Sequence, residues 1–245
     1  SDVCSSDLVT QWLLDHPQHT DGPLMMMGAN SPVMAAFLFG ALAAGVPTAP
    51  VSVHYALLGG DLGRLNHVIR SLKPSILLIE DARMAAAAIE ALDLGDAVVL
   101  TATPEALTRA SASLAEVMAT RPGPAVNAGI EALKPDQIAQ FMMTSGSTGL
   151  PKVVPLSLRA IAANTAQAAQ VIGEGYAWSG DMLGCMPWNH VAGAVALRAV
   201  LLAGGAFYID DGKPIPGLFE ESIRNLRERP VRYYVNVPTG YAMLA

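Results

Sequence analysis

Residues Phe141 to Ser157 read FMMTSGSTGLPKVVPLS, an apolar run that breaks into hydroxyls and glycines and then reaches a lysine. Glycines at 146 and 149 permit backbone conformations that turn successive N–H groups inward, and Thr144, Ser145, Ser147 and Thr148 set hydroxyl donors beside them. Such a collection suits an anion. Lys152 adds a mobile positive charge that can reach phosphate oxygens, so a polyphosphate matches better than a single carboxylate. The apolar stretch Ile138 to Met143 predicts a buried strand before the loop, and the alanine-rich stretch Leu158 to Ile172 predicts a helix after it.

Three other readings compete for the same residues. The nucleotide-binding pattern G-x-x-x-x-G-K-[ST] fails because Pro151 precedes Lys152 and Val153 stands where a metal-binding hydroxyl belongs. A hydrolase elbow centred on Ser147 would find Asp181 and His190 later in the chain, in the order Ser, Asp, His, but leaves the extra hydroxyls and Lys152 without a task. A plain Gly/Ser surface turn accounts for the glycines and not for the Pro-Lys that follows.

Outward from the loop, short apolar runs alternate with helical patterns. Leu24 to Met27 reads as a strand, and Asn30, Ser31 and Pro32 then combine capping oxygens with a proline suited to a first turn, predicting a helix to about Gly45. Pro47 to Val51 reads as extended, and Asp61, Leu62, Leu65, Val68, Ile69 and Leu72 mark one stripe at helical period. Ser75 to Ile79 and Ala97 to Leu100 read as strands, Ala82 to Leu92 and Pro104 to Met118 as helices, and Thr120 to Pro135 as a linker around RPGP. Beyond the loop, Met182 to Met186, Phe207 to Ile209 and Tyr233 to Val237 read as strands, with Val191 to Ala203 and Leu218 to Arg227 as helices between them. This alternation predicts an α/β fold, with parallel-type sheets covered by helices.

Composition agrees with a large packed core. Apolar residues make up 52% of the 245 and charged residues only 15%, which excludes disorder. The net charge of −6 offers no footprint for nucleic acid. Two cysteines, Cys4 and Cys185, cannot build a disulfide framework and carry no metal-type spacing, so no metal ligand is assigned and a cytoplasmic location is expected. The apolar runs Val33 to Val46 and Val191 to Ala206 fall short of a membrane span, the second being interrupted by Arg198. The opening octet SDVCSSDL is polar and aperiodic; residues 1–8 are read as foreign to the fold, inside an irregular segment spanning 1–23.

TSGSTGLPK resembles the phosphate-binding loop of the adenylate-forming (AMP-binding) superfamily, which includes acyl-CoA synthetases, luciferases and the adenylation domains of peptide synthetases; the family's usual glycine after the lysine is Val153 here. MPWNHVAG, from Met186 to Gly193, is similar to the family's second core motif, although a lone histidine between a strand and an apolar helix is as readily structural. YIDDGKPIPGLFEESIRNLRERPVRYYVNVPTGYAML, from Tyr208 to Leu244, and Gly40 to Ile69 resemble feruloyl-CoA synthetases. No catalytic role is assigned to Asp210, Asp211 or Lys213.

The resemblance implies activation of a carboxylic acid, of the feruloyl or hydroxycinnamate kind, by ATP with Mg2+ to an acyl-adenylate, then transfer to CoA. Thr144, Ser145, Gly146, Ser147, Thr148, Gly149 and Lys152 would hold the phosphates, Trp188 would pack the acyl group, and His190 would sit beside the carboxylate. The alternatives kept open are a fatty acid as substrate, an esterase using Ser147, Asp181 and His190, and a non-catalytic nucleotide-binding remnant. The resemblance further implies that residues 24–245 are an incomplete large N-terminal domain. The later adenine- and metal-contacting motif, the ribose-binding aspartate and the C-terminal domain have no counterpart in this sequence, so a fragment inactive by itself is expected.

Overall fold

The computed structural model describes residues 4–52, 62–83, 85–144, 149–172 and 180–244. The chain divides into two compact units, Ser1–Arg159 and Ala160–Ala245. The first is built on a seven-stranded sheet with strand order β5-β4-β3-β1-β2-β6-β7. Its strands are β1 (Leu24–Met27), β2 (Thr48–Val51), β3 (Ile76–Leu78), β4 (Val98–Thr101), β5 (Ser111–Ser113), β6 (Ile138–Thr144) and β7 (Lys152–Ser157). All neighbours pair in parallel except β6 and β7. The four inner strands β1 to β4 are buried at every position, as expected where helices cover both faces of a parallel sheet.

Helix α1 (Ser5–Asp15) packs on α2 (Pro32–Ala43). Ser31 caps α2 as the sequence predicts: its Oγ accepts from the Met34 amide at 3.0 Å, and its hydroxyl donates to the Glu80 carboxylate. Helix α3 (Gly63–Leu72) buries Leu65, Val68, Ile69 and Leu72 against Met25, Met27, Ala49, Val51 and Leu77. Each such side chain contributes roughly 1.5–3 kcal/mol of transfer free energy before conformational entropy is subtracted. The predicted stripe at Leu62 also packs there; residues 53–61 lie outside the described set.

Several elements differ from the sequence reading, each for a physical reason. Residues 5–8 of the opening octet are the first turn of α1, and Thr10 Oγ1 joins that turn to its neighbour by facing Ser6 O at 2.8 Å and Gly40 O at 3.1 Å. The segment 1–23 is therefore ordered as α1 and a 3-10 turn (Pro17–His19), not irregular from Cys4 on. Ala82 to Leu92 keeps only a short helix, α4 (Ala86–Glu90). Pro104 to Met118 is no single helix: a 3-10 turn (Pro104–Ala106) leads to β5 and then α5 (Leu114–Met118). Ser-Ala-Ser carries no strand signal; β5 exists because the open edge of β4 supplies its ladder partners.

Inside the expected linker, α6 (Pro124–Glu131) forms with Pro124 in its first turn, where a missing N–H is no loss, and the Gly123 amide donates to Gln11 Oε1 at 2.9 Å. Finally, the strand preceding the anion loop is followed by another strand before the helix. Pro155, which argues against a strand, is tolerated because β7 is an edge.

The second unit carries three parallel strands in the order β10-β8-β9, namely β8 (Met182–Gly184), β9 (Phe207–Ile209) and β10 (Tyr233–Val235). Helix α7 (Leu158–Ile172) crosses the unit boundary; α8 (Val191–Leu202) joins β8 to β9, α9 (Phe219–Glu228) joins β9 to β10, and α10 (Pro238–Ala242) follows. Met182, Ala196 and Val200 form the core with Phe207, Tyr233 and Val235 around them. No helix among the described residues is long and apolar enough to cross a membrane.

Deleting residues 1–8 should lower the thermal midpoint by roughly 2–4 °C, the equivalent of about 1 kcal/mol, through loss of the first turn of α1 and its link to α2. An unchanged midpoint by scanning calorimetry would show that the octet adds nothing to the fold.

Candidate functional site

The anion loop is the tip of an antiparallel hairpin. Strands β6 and β7 pair in the register Phe141↔Pro155, Met142↔Val154, Met143↔Val153 and Thr144↔Lys152, so the ladder ends on the first and last described polar residues of the loop. Directly opposed residues in such a ladder project from the same face, with Cβ atoms about 4.5–5.5 Å apart. Thr144 and Lys152 are both exposed, and among the described residues Lys152 makes no ion pair. The register thus sets a hydroxyl residue opposite a lysine where the ladder ends, beside the tip of the hairpin. Ser145, Gly146, Ser147 and Thr148 lie outside the described residues. Gly149 has φ +82°, a left-handed conformation that favours glycine and that any side chain would strain.

Behind the hairpin, apolar packing sets its position. Phe141, Met143 and Val153 lean on the core cluster that includes α3, and His67 of that helix places Nε2 3.1 Å from the carbonyl oxygen of Pro151. The sequence reading assigned His67 no role. A partner 84 positions away leaves no local signature.

MPWNHVAG occupies the turn from β8 into α8 in the second unit. His190 is the N-cap of α8, with backbone N–H donating to Pro187 O at 3.1 Å. Its imidazole is exposed and has no hydrogen bond among the described residues. Helix N-termini present outward N–H groups and a partial positive charge, an environment that favours a carboxylate. Gly193 makes this geometry possible: a Cβ there would lie 2.3 Å from Pro187 O and 2.6 Å from Met186 O, both rigid backbone atoms. Trp188, expected against an acyl group, is only 3% exposed and meets Phe207 edge-on at 5.9 Å and 72°. Its ring belongs to the core beneath the turn.

Other candidates resolve into structural roles. Asp181 accepts from the Ala206 amide at 2.9 Å and from Tyr208 OH at 3.4 Å, so the structure does not bring it to His190 as a hydrolase triad would need. Asp210 is buried and accepts from Ser222 Oγ at 2.6 Å, Asn225 Nδ2 at 3.0 Å and the Gly212 amide at 3.1 Å. It ties the end of β9 to α9. Burial, with the Asp210 charge adding to it, pushes the Cys185 thiol above the ordinary thiol range, the wrong direction for a nucleophile. Among the described residues no group of three or more His, Cys, Asp or Glu side chains could hold a metal ion. Two surface depressions, of about 740 Å³ beside Arg70, Lys73 and Asp96 and about 1000 Å³ beside Asp211, Glu220 and Arg224, mix charges of both signs and include no residue of the hairpin or of MPWNHVAG.

A mostly parallel α/β sheet flanked by helices, with an antiparallel hairpin at one edge, matches the N-terminal domains of adenylate-forming enzymes. The chain belongs to the AMP-binding enzyme family, whose profile matches residues 6–245. No curated protein sequence gives a significant match. Among solved structures, the chain is similar to VinN in complex with 3-methylaspartate (21% identity, TM-score 0.69, covering 98% of this chain and 58% of that one). It is also similar to the O-succinylbenzoate coenzyme A synthetase MenE from Bacillus subtilis in complex with AMP (18%, 0.72, 98% and 44%), and to ATP-bound MatB from Rhodopseudomonas palustris (18%, 0.66, 98% and 44%). The chain spans about half the length of these proteins.

Gly193→Ala should destabilise the second unit by about 1–3 kcal/mol, because the added carbon meets backbone that cannot give way; chemical denaturation of the pair of proteins measures it. At pH 8, iodoacetamide should alkylate exposed Cys4 well before Cys185, and the Cys185 rate should rise as pH is carried above the ordinary thiol range. Equal rates in mass-spectrometric peptide mapping would contradict the burial argument.

Proposed function

We propose that this chain carries the phosphate- and acid-binding part of an enzyme that activates a carboxylic acid with ATP and passes the acyl group to CoA. The observation that carries the reading is the cross-strand pair of Thr144 and Lys152, exposed at the mouth of a hairpin whose tip is rich in hydroxyls and glycines. AMP and ATP in the structures of MenE and MatB give the nucleotide its precedent.

In the first step a carboxylate oxygen attacks the α-phosphorus of ATP, the bond from that phosphorus to the bridging oxygen breaks, and pyrophosphate leaves with the electron pair. Two anions must meet, so the chain's contribution is charge neutralisation and alignment. Lys152 and the Thr144 hydroxyl hold the β- and γ-phosphates, joined by Gly149 and by Ser145, Gly146, Ser147 and Thr148. Negative charge then grows on a leaving group already bound by donors. His190, at the positive end of α8, orients the acid carboxylate. Trp188 supports that turn from within the core and keeps its apolar side dry, which protects an adenylate from water. In the second step the CoA sulfur attacks the acyl carbon, AMP departs with its electron pair, and the thiol proton goes to solvent.

Magnesium would arrive with the nucleotide phosphates, and no side chain described here is assigned to it. The resemblance of WNH and DDGKP to feruloyl-CoA synthetases makes an aromatic hydroxycinnamate the acid of choice. Such an enzyme, drawing on ATP and CoA pools, belongs in the cytoplasm.

The test is ATP–pyrophosphate exchange by protein expressed from the complete gene, offered ferulate, p-coumarate and octanoate. Ferulate should give the fastest exchange. Lys152→Ala should lower kcat/KM by about a hundredfold, a typical cost of removing one donor to developing charge. His190→Ala should raise KM for the acid more than for ATP. Exchange that is indifferent to Lys152→Ala would remove the hairpin from the mechanism, and preference for octanoate would replace the aromatic acid with a fatty one.

A further inference from the structure

The hydrogen bond from His67 to Pro151 has a consequence for the hairpin. Helix α3 is locked in rotation by its buried stripe Leu65, Val68, Ile69 and Leu72, and His67 lies off that stripe, half-buried, facing the start of β7. A carbonyl oxygen can only accept, so the 3.1 Å contact makes Nε2 the donor. Pro151 is buried and immediately precedes β7. Lacking an N–H, it can be held through hydrogen bonding only by its carbonyl. The β6–β7 ladder ends at Thr144↔Lys152, and among the described residues the His67 bond is the one hydrogen bond made by Gly149, Leu150 or Pro151.

We propose that His67 is a positioning residue for the anion-binding hairpin: by fixing Pro151 it fixes the backbone from which Lys152 reaches the nucleotide phosphates. This inference rests on the ATP-dependent reading above. Lys152 has a long, rotatable side chain, so the accuracy of its ammonium depends on where its Cα is held. An ordinary ladder would hold it from both sides along the strand, but here the ladder stops at Lys152 itself.

The test uses His67→Phe, which keeps a ring and removes the donor, and His67→Gln, whose side-chain amide offers a donor at similar reach. In ATP–pyrophosphate exchange by protein from the complete gene, His67→Phe should raise KM for ATP by about three- to tenfold, the weight of one neutral hydrogen bond, and leave KM for the acid unchanged. Hydrogen–deuterium exchange on the same protein without nucleotide should show faster amide exchange at Leu150 and Lys152. His67→Gln should restore both. If His67→Phe lowers the thermal midpoint without moving KM for ATP, or if His67→Gln is as impaired as His67→Phe, His67 is only a packing residue and the proposal is overturned. A wild-type protein that performs no acid-dependent exchange overturns the ATP reading, and the proposal with it. A wild type that exchanges normally beside an unaffected His67→Phe variant overturns the proposal alone.

Discussion

The antiparallel ladder between Ile138–Thr144 and Lys152–Ser157 is the constraint on which the site depends. From Gln140 to Thr144, after an irregularity at Ile138, antiparallel pairing sets one residue of β6 against one of β7, and a slip of one residue would turn Phe141, Met143 or Val153 away from the core cluster they pack on. The register that satisfies the core is therefore the register that puts Thr144 beside Lys152. The rest of the first unit serves this placement. Four inner strands buried on both faces make a stiff platform, α3 packs on it, and the hairpin occupies one edge where its tip can project.

The second unit solves a different problem with a different device. An exposed histidine, His190, is the N-cap of the apolar helix α8. The turn from Met186 to Gly193 folds its own carbonyls against the helix start, an approach that leaves no space for a β-carbon at 193. Trp188 is buried below, and Asp210 ties the neighbouring strand end to α9 with two accepted hydrogen bonds, from Ser222 and Asn225, and accepts a third from the Gly212 amide. Burying a carboxylate is costly unless its lone pairs are used, and here they are.

Much of this could be read from residue order, and the failures have causes. Fully buried strands such as Leu24–Met27 announce themselves by an unbroken apolar run, and α3 by apolar residues at helical spacing. The capping serine at 31 and the strand at 207–209 were equally plain. What local pattern could not show was strand formation induced by a neighbour. Ser111–Ser113 has no strand character until the edge of β4 offers it partners, and Lys152–Ser157 contains a proline that only an edge position accommodates. Helix α6 was missed although its sign, Pro124 at the first turn, was present. In the site, residue type identified the lysine and the hydroxyls, whereas the burial of Trp188, the engagement of Asp181 by an amide and a phenol, and the reach of His67 across 84 positions are facts of tertiary packing.

The hairpin's attachment to its neighbour is narrower than its own internal stitching. Six residue pairs bind β6 to β7, but among the described residues β6 is registered on β2 at the one pair Thr48↔Gln140, and on the far side Pro155 withholds the amide that another strand would require. Mechanically this makes the two strands one lever, held at the root near Gln140 and, nearer the tip, by the packing of Phe141, Met143 and Val153 on the core cluster and by the hydrogen bond from His67 to Pro151. A change of residue beneath that root would therefore alter the aim of the tip without touching it.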